Sequence, residues 1–450
     1  MTVPCCTSQA EAPSGTSPSA TVSRTARDGP DGALGASGAY GASGRALADR
    51  FDAVRAASVA FATGLSDADA TVQSMPDASP IKWHLAHTTW FFETFLLGEH
   101  GALSGKRYHP YDPRFAFLFN SYYEAAGPRH PRPQRGLLTR PTLDEIVRYR
   151  QHVDSAMHEM LLHADLPREV SDLITLGLHH EEQHQELMHT DLLHLFSQNP
   201  LRPAHREIIR DAGRETHRDL PLQWIEHAGG RHTIGNNGES FAFDCETPAH
   251  DYLLRPFAIA SRVVTNGEWR DFIEDGGYRI AGLWLSDGWA TVQRDGWGHP
   301  LYWELRNGEW HAMTLAGMQP VDDNAPVQHV SYFEADAFAR WAGKRLPTEH
   351  EWEVAAHVAQ VAQAAHENSP MQQLYGPVWQ WTASPYVAYP GFRTAAGAVG
   401  EYNGKFMCGQ FVLRGGSLAT PAGHSRATYR NFFYPHQRWQ FCGLRLAEDR

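Results

Sequence analysis

The sharpest chemistry in this sequence is carried by His180-Glu181-Glu182-Gln183-His184. On a helix, residues four apart lie about 40° apart around the axis and one turn above each other. Two imidazoles so placed can grip one ion from a single face. The spacing matches the His-Glu-x-x-His pattern of zinc hydrolases, in which the glutamate, here Glu181, acts as a base. A third ligand must come from another element. The stretch Trp83-His84-Leu85-Ala86-His87 offers two histidines, three residues apart. Three neutral imidazoles leave positions open on a six-coordinate metal, and open positions admit substrate and O2. Spacing alone does not separate iron from zinc. His179, His189 and His194 are close in sequence and read as outer or surface histidines.

A second group of reactive side chains lies at 107–141. It contains Tyr122-Tyr123, and further on Arg132 and Arg135. A phenol near a metal that handles oxygen can donate a proton or an electron. An arginine pair can hold a carboxylate, bidentately where geometry allows.

These residues need elements to position them. Apolar residues recur at helical spacing in 46–65, 81–97, 143–164 and 170–196, and Thr142 with Glu145 forms a capping-box signal. Four helices of such length predict an up-down bundle, whose metal sites form from side chains on facing helices. The connection 107–141 is long for a compact domain, and loops of that kind usually carry function. After residue 200 the texture changes. Residues 201–220 read as a linker. From 221 to 450 the chain is rich in Gly and Trp, with short alternating segments at 224–235 and 411–419 and helices at 265–277 and 331–344. Residues 1–45 are mostly small or polar and read as a disordered tail.

The bulk numbers narrow the function. The chain has 450 residues, enough for two domains. A net charge of −12 argues against nucleic acid as a partner. No apolar run approaches the roughly 20 residues that span a bilayer. The five cysteines are scattered and odd in number, which fits a reducing cytoplasm better than a disulfide framework.

The motifs together resemble a known family. The first domain looks like a DinB-type four-helix bundle. The second is similar to the formylglycine-generating-enzyme/sulfatase-modifying-factor fold, a C-type-lectin-like mixed domain, through Arg345-Leu346-Pro347-Thr348-Glu349-His350-Glu351-Trp352-Glu353, Val378-Trp379-Gln380-Trp381-Thr382, Leu413-Arg414-Gly415-Gly416-Ser417 and Arg430-Asn431-Phe432-Phe433. The pairing, an α+β architecture in this order over about 46–450, resembles the EgtB-type ergothioneine-biosynthesis sulfoxide synthases.

The resemblance implies an Fe(2+) cofactor held by His87, His180 and His184. It implies hercynine, a thiol and O2 as substrates, with Gln183 near the trimethylammonium and imidazole. Some members that use γ-glutamylcysteine carry Trp-Asp where this chain has Phe432-Phe433. The Tyr122-Tyr123 pair resembles the subgroup that accepts free cysteine, in which a loop tyrosine is the proton or electron donor. Arg132 and Arg135 would then face the thiol's carboxylate, and Trp90, Phe432 and Phe433 would surround the quaternary ammonium. Cysteine is the favoured donor, and a monomer or weak homodimer is expected. The rivals are an ovothiol- or selenoneine-type enzyme of the same architecture, a zinc-dependent hydrolase or thiol transferase using Glu181, and a non-catalytic binding module. True formylglycine generators need reactive cysteines. Cys408 and Cys442 form no recognisable pair, so the second domain is expected to close one wall of a pocket at the interface.

Overall fold

All four expected bundle helices form. In the computed structural model they are α1 (Ser37–Ala62), α2 (Ile81–Phe91), α3 (Leu143–Leu161) and α4 (Arg168–Gln198). The described residues are 37–162, 166–205, 221–238, 240–364, 371–394 and 403–450, with side chains from 44 onward. Of the expected tail, 1–36 lies outside them, as does 206–220 of the expected linker. Helix α1 starts at Ser37 rather than 46.

Helix α3 starts where its capping signal sits. The Thr142 hydroxyl accepts from the Glu145 N–H at 3.2 Å, and the Thr142 N–H donates to the Glu145 carboxylate at 2.7 Å. Helix α2 is buried on every face, because it packs against both α3 and α4. It runs directly into a π-helical turn, Phe92–Leu97. That turn holds Glu93, whose carboxylate accepts from the hydroxyls of Tyr108 at 2.5 Å and Tyr149 at 2.7 Å.

Gly177 lets α4 approach this segment. A Cβ there would sit 2.8 Å from a Phe92 ring carbon and 2.9 Å from one of Phe91. Gly177→Ala is therefore expected to destabilise the bundle by about 1–3 kcal/mol through overpacking, despite alanine's better helix propensity. A thermal melt checks this, and an unchanged or raised midpoint would show that the two rings yield.

The second domain is built from short strands. β1 (Trp224–His227) and β12 (Ala447–Asp449) flank β4 (Phe257–Ala260) in one antiparallel sheet. β8 (Trp379–Pro385) lies between β9 (Phe411–Arg414) and β11 (Cys442–Leu444), antiparallel to the first and parallel to the second, and β10 (Asn431–Phe433) extends this sheet beyond β9. A hairpin, β2 (Gly230–Ile234) with β3 (His250–Leu254), and a meander of β5 (Trp303–Arg306), β6 (Glu309–Thr314) and β7 (Gly317–Pro320) complete it. The expected helices appear as α5 (Asn266–Glu274) and α7 (Tyr332–Trp341). Two others were not anticipated: α6 (Ser286–Asp295) and α8 (Glu349–Ala364). For α8 a signal was present, since Thr348 and Glu351 exchange backbone and side-chain hydrogen bonds at its start. No described helix is long and apolar enough to cross a membrane.

Candidate metal centre

Helices α2 and α4 bring His87, His180 and His184 together, with one ring nitrogen from each lying within 4.8 Å of the others. Their ring centroids are 4.7–5.0 Å apart. Desolvation is the largest influence on all three and pushes each below the ordinary imidazole range, His180 to about 3, with the neighbouring histidines depressing His87 and His184 further. All three are therefore neutral near pH 7, the state in which imidazole binds a metal.

Hydrogen bonds assign the inward nitrogens. His87 Nδ1 donates to the Phe119 carbonyl oxygen at 2.6 Å, which leaves Nε2 unprotonated. That Nε2 is buried and has no hydrogen-bond partner among the described residues. A buried lone pair left unsatisfied costs free energy, and a divalent cation facing three imidazoles satisfies it. On His184 the polarity runs through a second histidine. Asp191 lies 3.0 Å from His84 Nε2, and His84 Nδ1 lies 2.8 Å from His184 Nδ1; the neutral His84 tautomer that donates to Asp191 accepts from His184 Nδ1–H and leaves His184 Nε2 as the ligand atom. Asp191 is itself anchored by the Ser79 backbone N–H at 2.8 Å. The residues present thus fit a mononuclear metal, and His84 orients a ligand rather than serving as one. Asp191→Ala is expected to weaken metal affinity about 10–100-fold. A competitive chelator titration checks this, and wild-type affinity would show that the Asp191–His84 pair does not orient His184.

Glu181 faces elsewhere. It is fully buried and accepts from Arg55 at 2.8 Å, Arg150 at 2.7 Å and the Ser58 hydroxyl at 2.6 Å. Burial alone would raise its pKa, but the two guanidiniums and the hydroxyl hold it at about 2. A carboxylate so engaged is no general base, and this removes the residue on which the hydrolase alternative depends.

The loop 107–141 contains three short helical turns, Phe115–Phe119, Glu124–Ala126 and Arg132–Leu137. It brings Tyr123 to the centre's outer wall. Tyr123 stacks on Tyr122 at 4.7 Å and lies 5.6 Å from Trp90, whose ring is 5.5 Å from His87. Tyr122 leans on Phe406 of the second domain. The two arginines part company. The Arg135 guanidinium lies 3.3 Å from the centre of the Trp83 ring, which stacks on His87 at 4.6 Å. Arg132 is exposed and donates to the Asp77 carbonyl. Phe432 stacks on Tyr386 at 4.1 Å and lies 5.9 Å from Phe406, and Phe433 sits beside it on β10, partly buried.

Residues 50–188 match the DinB superfamily, and 214–367 and 357–450 match the sulfatase-modifying factor enzyme 1-like domain. The chain is 32% identical over 423 residues to a hercynine oxygenase of Mycobacterium tuberculosis, across 85% of this chain and 94% of that one. The chain belongs to the hercynine oxygenase family. Another relative of that name, from Mycolicibacterium thermoresistibile, is 32% identical over 425 residues, across 85% of this chain and 90% of its own. Ergothioneine biosynthesis protein 1 of Schizosaccharomyces pombe is 27% identical over 232 residues, 46% of this chain and 28% of that protein.

In this hercynine oxygenase family member, α4 also forms the seam between the domains. Glu186 accepts from the Thr420 hydroxyl at 2.7 Å and the Ser417 hydroxyl at 3.2 Å, and also from the Trp379 indole N–H. Gln183 Nε2 donates to the Tyr429 hydroxyl at 2.7 Å. His179, Glu182 and His424 place three further ligand-type atoms within 4.8 Å of one another. Here, however, the charge is already met. Glu182 accepts from His179 Nδ1 at 2.9 Å and His424 Nδ1 at 2.7 Å, and Arg50 lies 3.4 Å from its carboxylate. We read this cluster as a hydrogen-bonded lock between the domains. Sequence reasoning missed Glu182, His424 and Tyr429, because no local pattern links residues more than 240 positions apart. Asp191 was also missed, although it follows His184 by two helical turns on the same face.

Proposed function

We propose that this chain is an Fe(2+)- and O2-dependent sulfoxide synthase that joins a thiol sulfur, preferentially that of cysteine, to the imidazole of hercynine in ergothioneine biosynthesis. The observation that carries this reading is the buried convergence of His87, His180 and His184, in a chain whose full-length relatives bear the name hercynine oxygenase. His87, His180 and His184 would hold the metal, which when bound supplies O2 reduction and thiol activation. The protein's own residues do the remaining work. The neutral imidazoles leave the metal's charge uncompensated, which favours a thiolate over a thiol. The Trp83, Trp90 and Phe91 rings wall the histidines and exclude water. Tyr122 and Tyr123 offer the phenol that delivers a proton and restrains simple oxidation of the thiol. Arg135, over the Trp83 ring that stacks on His87, is the cation that would take a substrate carboxylate. Cysteine is favoured over γ-glutamylcysteine because Phe432-Phe433 supplies no acid for the longer donor.

The test is anaerobic purification, Fe(2+) loading, and measurement of O2 uptake and mass-resolved products with hercynine plus either thiol. A hercynyl-cysteine sulfoxide formed only with Fe(2+) supports the reading. Equal activity with zinc, or no O2 uptake with either thiol, overturns it. Faster turnover with γ-glutamylcysteine overturns the donor assignment alone.

A further inference from the structure

Two of the groups that hold His87 also wall a small cavity. The Trp83 ring stacks on His87 at 4.6 Å, and the Phe119 carbonyl accepts from His87 Nδ1 at 2.6 Å. Both residues line a space of about 10 Å³ between α2, the start of α3 and the loop 107–141. Leu138, Pro141 and Ile146 close it, together with the aliphatic stems of Lys82 and Arg135. The Arg135 guanidinium is occupied elsewhere, with Nη1 donating to the Ser79 hydroxyl at 2.9 Å. No polar atom of the described residues opens onto the space. Its inner walls are firmly packed, since Trp83 and Phe119 are each 2% exposed and Ile146 is fully buried. Its outer wall is Leu138, half-buried between the exposed Leu137 and Thr139. One aliphatic side chain thus stands between solvent and the two groups that touch His87.

A space of this size has room for one molecule as small as water. Water needs about two to four polar partners to settle, so an apolar cavity stays dry, and small apolar guests such as xenon enter it instead. The proposed reaction consumes one such molecule. We propose that this cavity is an oxygen antechamber to the metal centre: O2 enters past Leu138, rests against Trp83 and Phe119, and moves past the His87 ring to the metal. O2 gains by leaving water for apolar surroundings, as other apolar solutes do. Hercynine and a thiol amino acid are charged, and an apolar space without partners excludes them. The gas therefore has its own way to a centre that the two larger substrates already occupy. This inference rests on the O2-dependent sulfoxide-synthase reading and adds the path by which that substrate arrives.

Crystals of the Fe(2+)-loaded protein held anaerobically under xenon test the cavity, and oxygen-dependent kinetics test the route. Xenon is expected between Trp83, Phe119, Leu138 and Ile146. Leu138→Phe should fill the entrance, exclude xenon and raise the KM for O2 about fivefold with kcat unchanged, the mark of lost access rather than lost chemistry. The KM values for hercynine and cysteine and the iron content should stay at wild-type values, which a merely structural role would move as well. If Leu138→Phe folds poorly, the wild type under xenon pressure takes its place, and its KM for O2 should rise because the two gases compete for the space. Wild-type crystals with no xenon at this position overturn the proposal. So does an unchanged KM for O2 in Leu138→Phe or, in its place, in the wild type under xenon. An iron-loaded wild type that consumes no O2 overturns the sulfoxide-synthase reading itself, and the proposal falls with it.

Discussion

Replacing His184 with alanine is expected to abolish oxygen-dependent turnover, with a loss of at least about 100-fold, since disturbing even an outer partner of a metal ligand costs 10–100-fold. The side chain does two things at once. Its Nε2 is one of three donors, and its Nδ1 is the hydrogen-bond partner that the described residues give His84 Nδ1, 2.8 Å away. Truncation therefore removes a ligand and strands a buried acceptor. The two remaining ligands sit on different helices and have lost the pairing within one helix turn that holds two donors close. Iron content by mass spectrometry and O2 uptake read the outcome together. His194→Ala is the control: the His194 ring bonds the Ser74 hydroxyl at 2.7 Å and lies 6.5 Å from the Tyr302 ring, and the variant should bind metal normally. A His184→Ala protein that keeps full iron and turnover would show that the metal lies elsewhere.

The second large effect falls on stability. Arg150 is 1% exposed and donates to Glu181 at 2.7 Å, to the Leu85 carbonyl at 3.0 Å and to the Arg55 carbonyl at 3.1 Å. Arg150→Ala leaves these buried acceptors short of a donor and Glu181 with one guanidinium instead of two. Breaking a buried ion pair from one side costs about 3–5 kcal/mol, which for a domain of this size lowers the melting temperature by about 10 °C. The acid limb should move as well. In the wild type the Glu181 carboxyl is depressed to about 2. Its contribution is therefore complete above the unfolded carboxyl value of about 4.3 and is lost as pH falls from there toward 2. Without Arg150 that depression shrinks, so less stability remains to be lost in that interval and the acid limb flattens. Melting curves from pH 2 to 7 on both proteins measure this. Equal midpoints at pH 7 would show that Arg55 and Ser58 alone satisfy Glu181.

The divided fate of the loop residues shows how far local reading goes. Tyr122, Tyr123, Arg132 and Arg135 all stand within one stretch of chain. The short helical turns between them turn Tyr123 and Arg135 inward, and Arg132 toward the Asp77 carbonyl at the surface. Residue type alone carries no information about that choice. Glu181 is similar. Its sequence neighbours read as a hydrolase motif, and only the presence of Arg55 and Arg150, from α1 and α3, makes it a structural anion.

What the sequence by itself determined is the part governed by short-range periodicity. Apolar spacing places the four long helices, Thr142 with Glu145 starts one of them, and the i, i+4 repeat puts His180 and His184 on one helix face. These features depend on the 3.6-residue turn, which a chain carries with it wherever it folds. The tertiary structure decided which histidine of α2 joins them and in which tautomer, because that depends on the Phe119 carbonyl and on Asp191, brought close by packing. It also decided that the second domain reaches α4 through Tyr429 and His424, since a hydrogen bond between residues far apart in the chain becomes favourable only after folding has met the entropy of bringing them together.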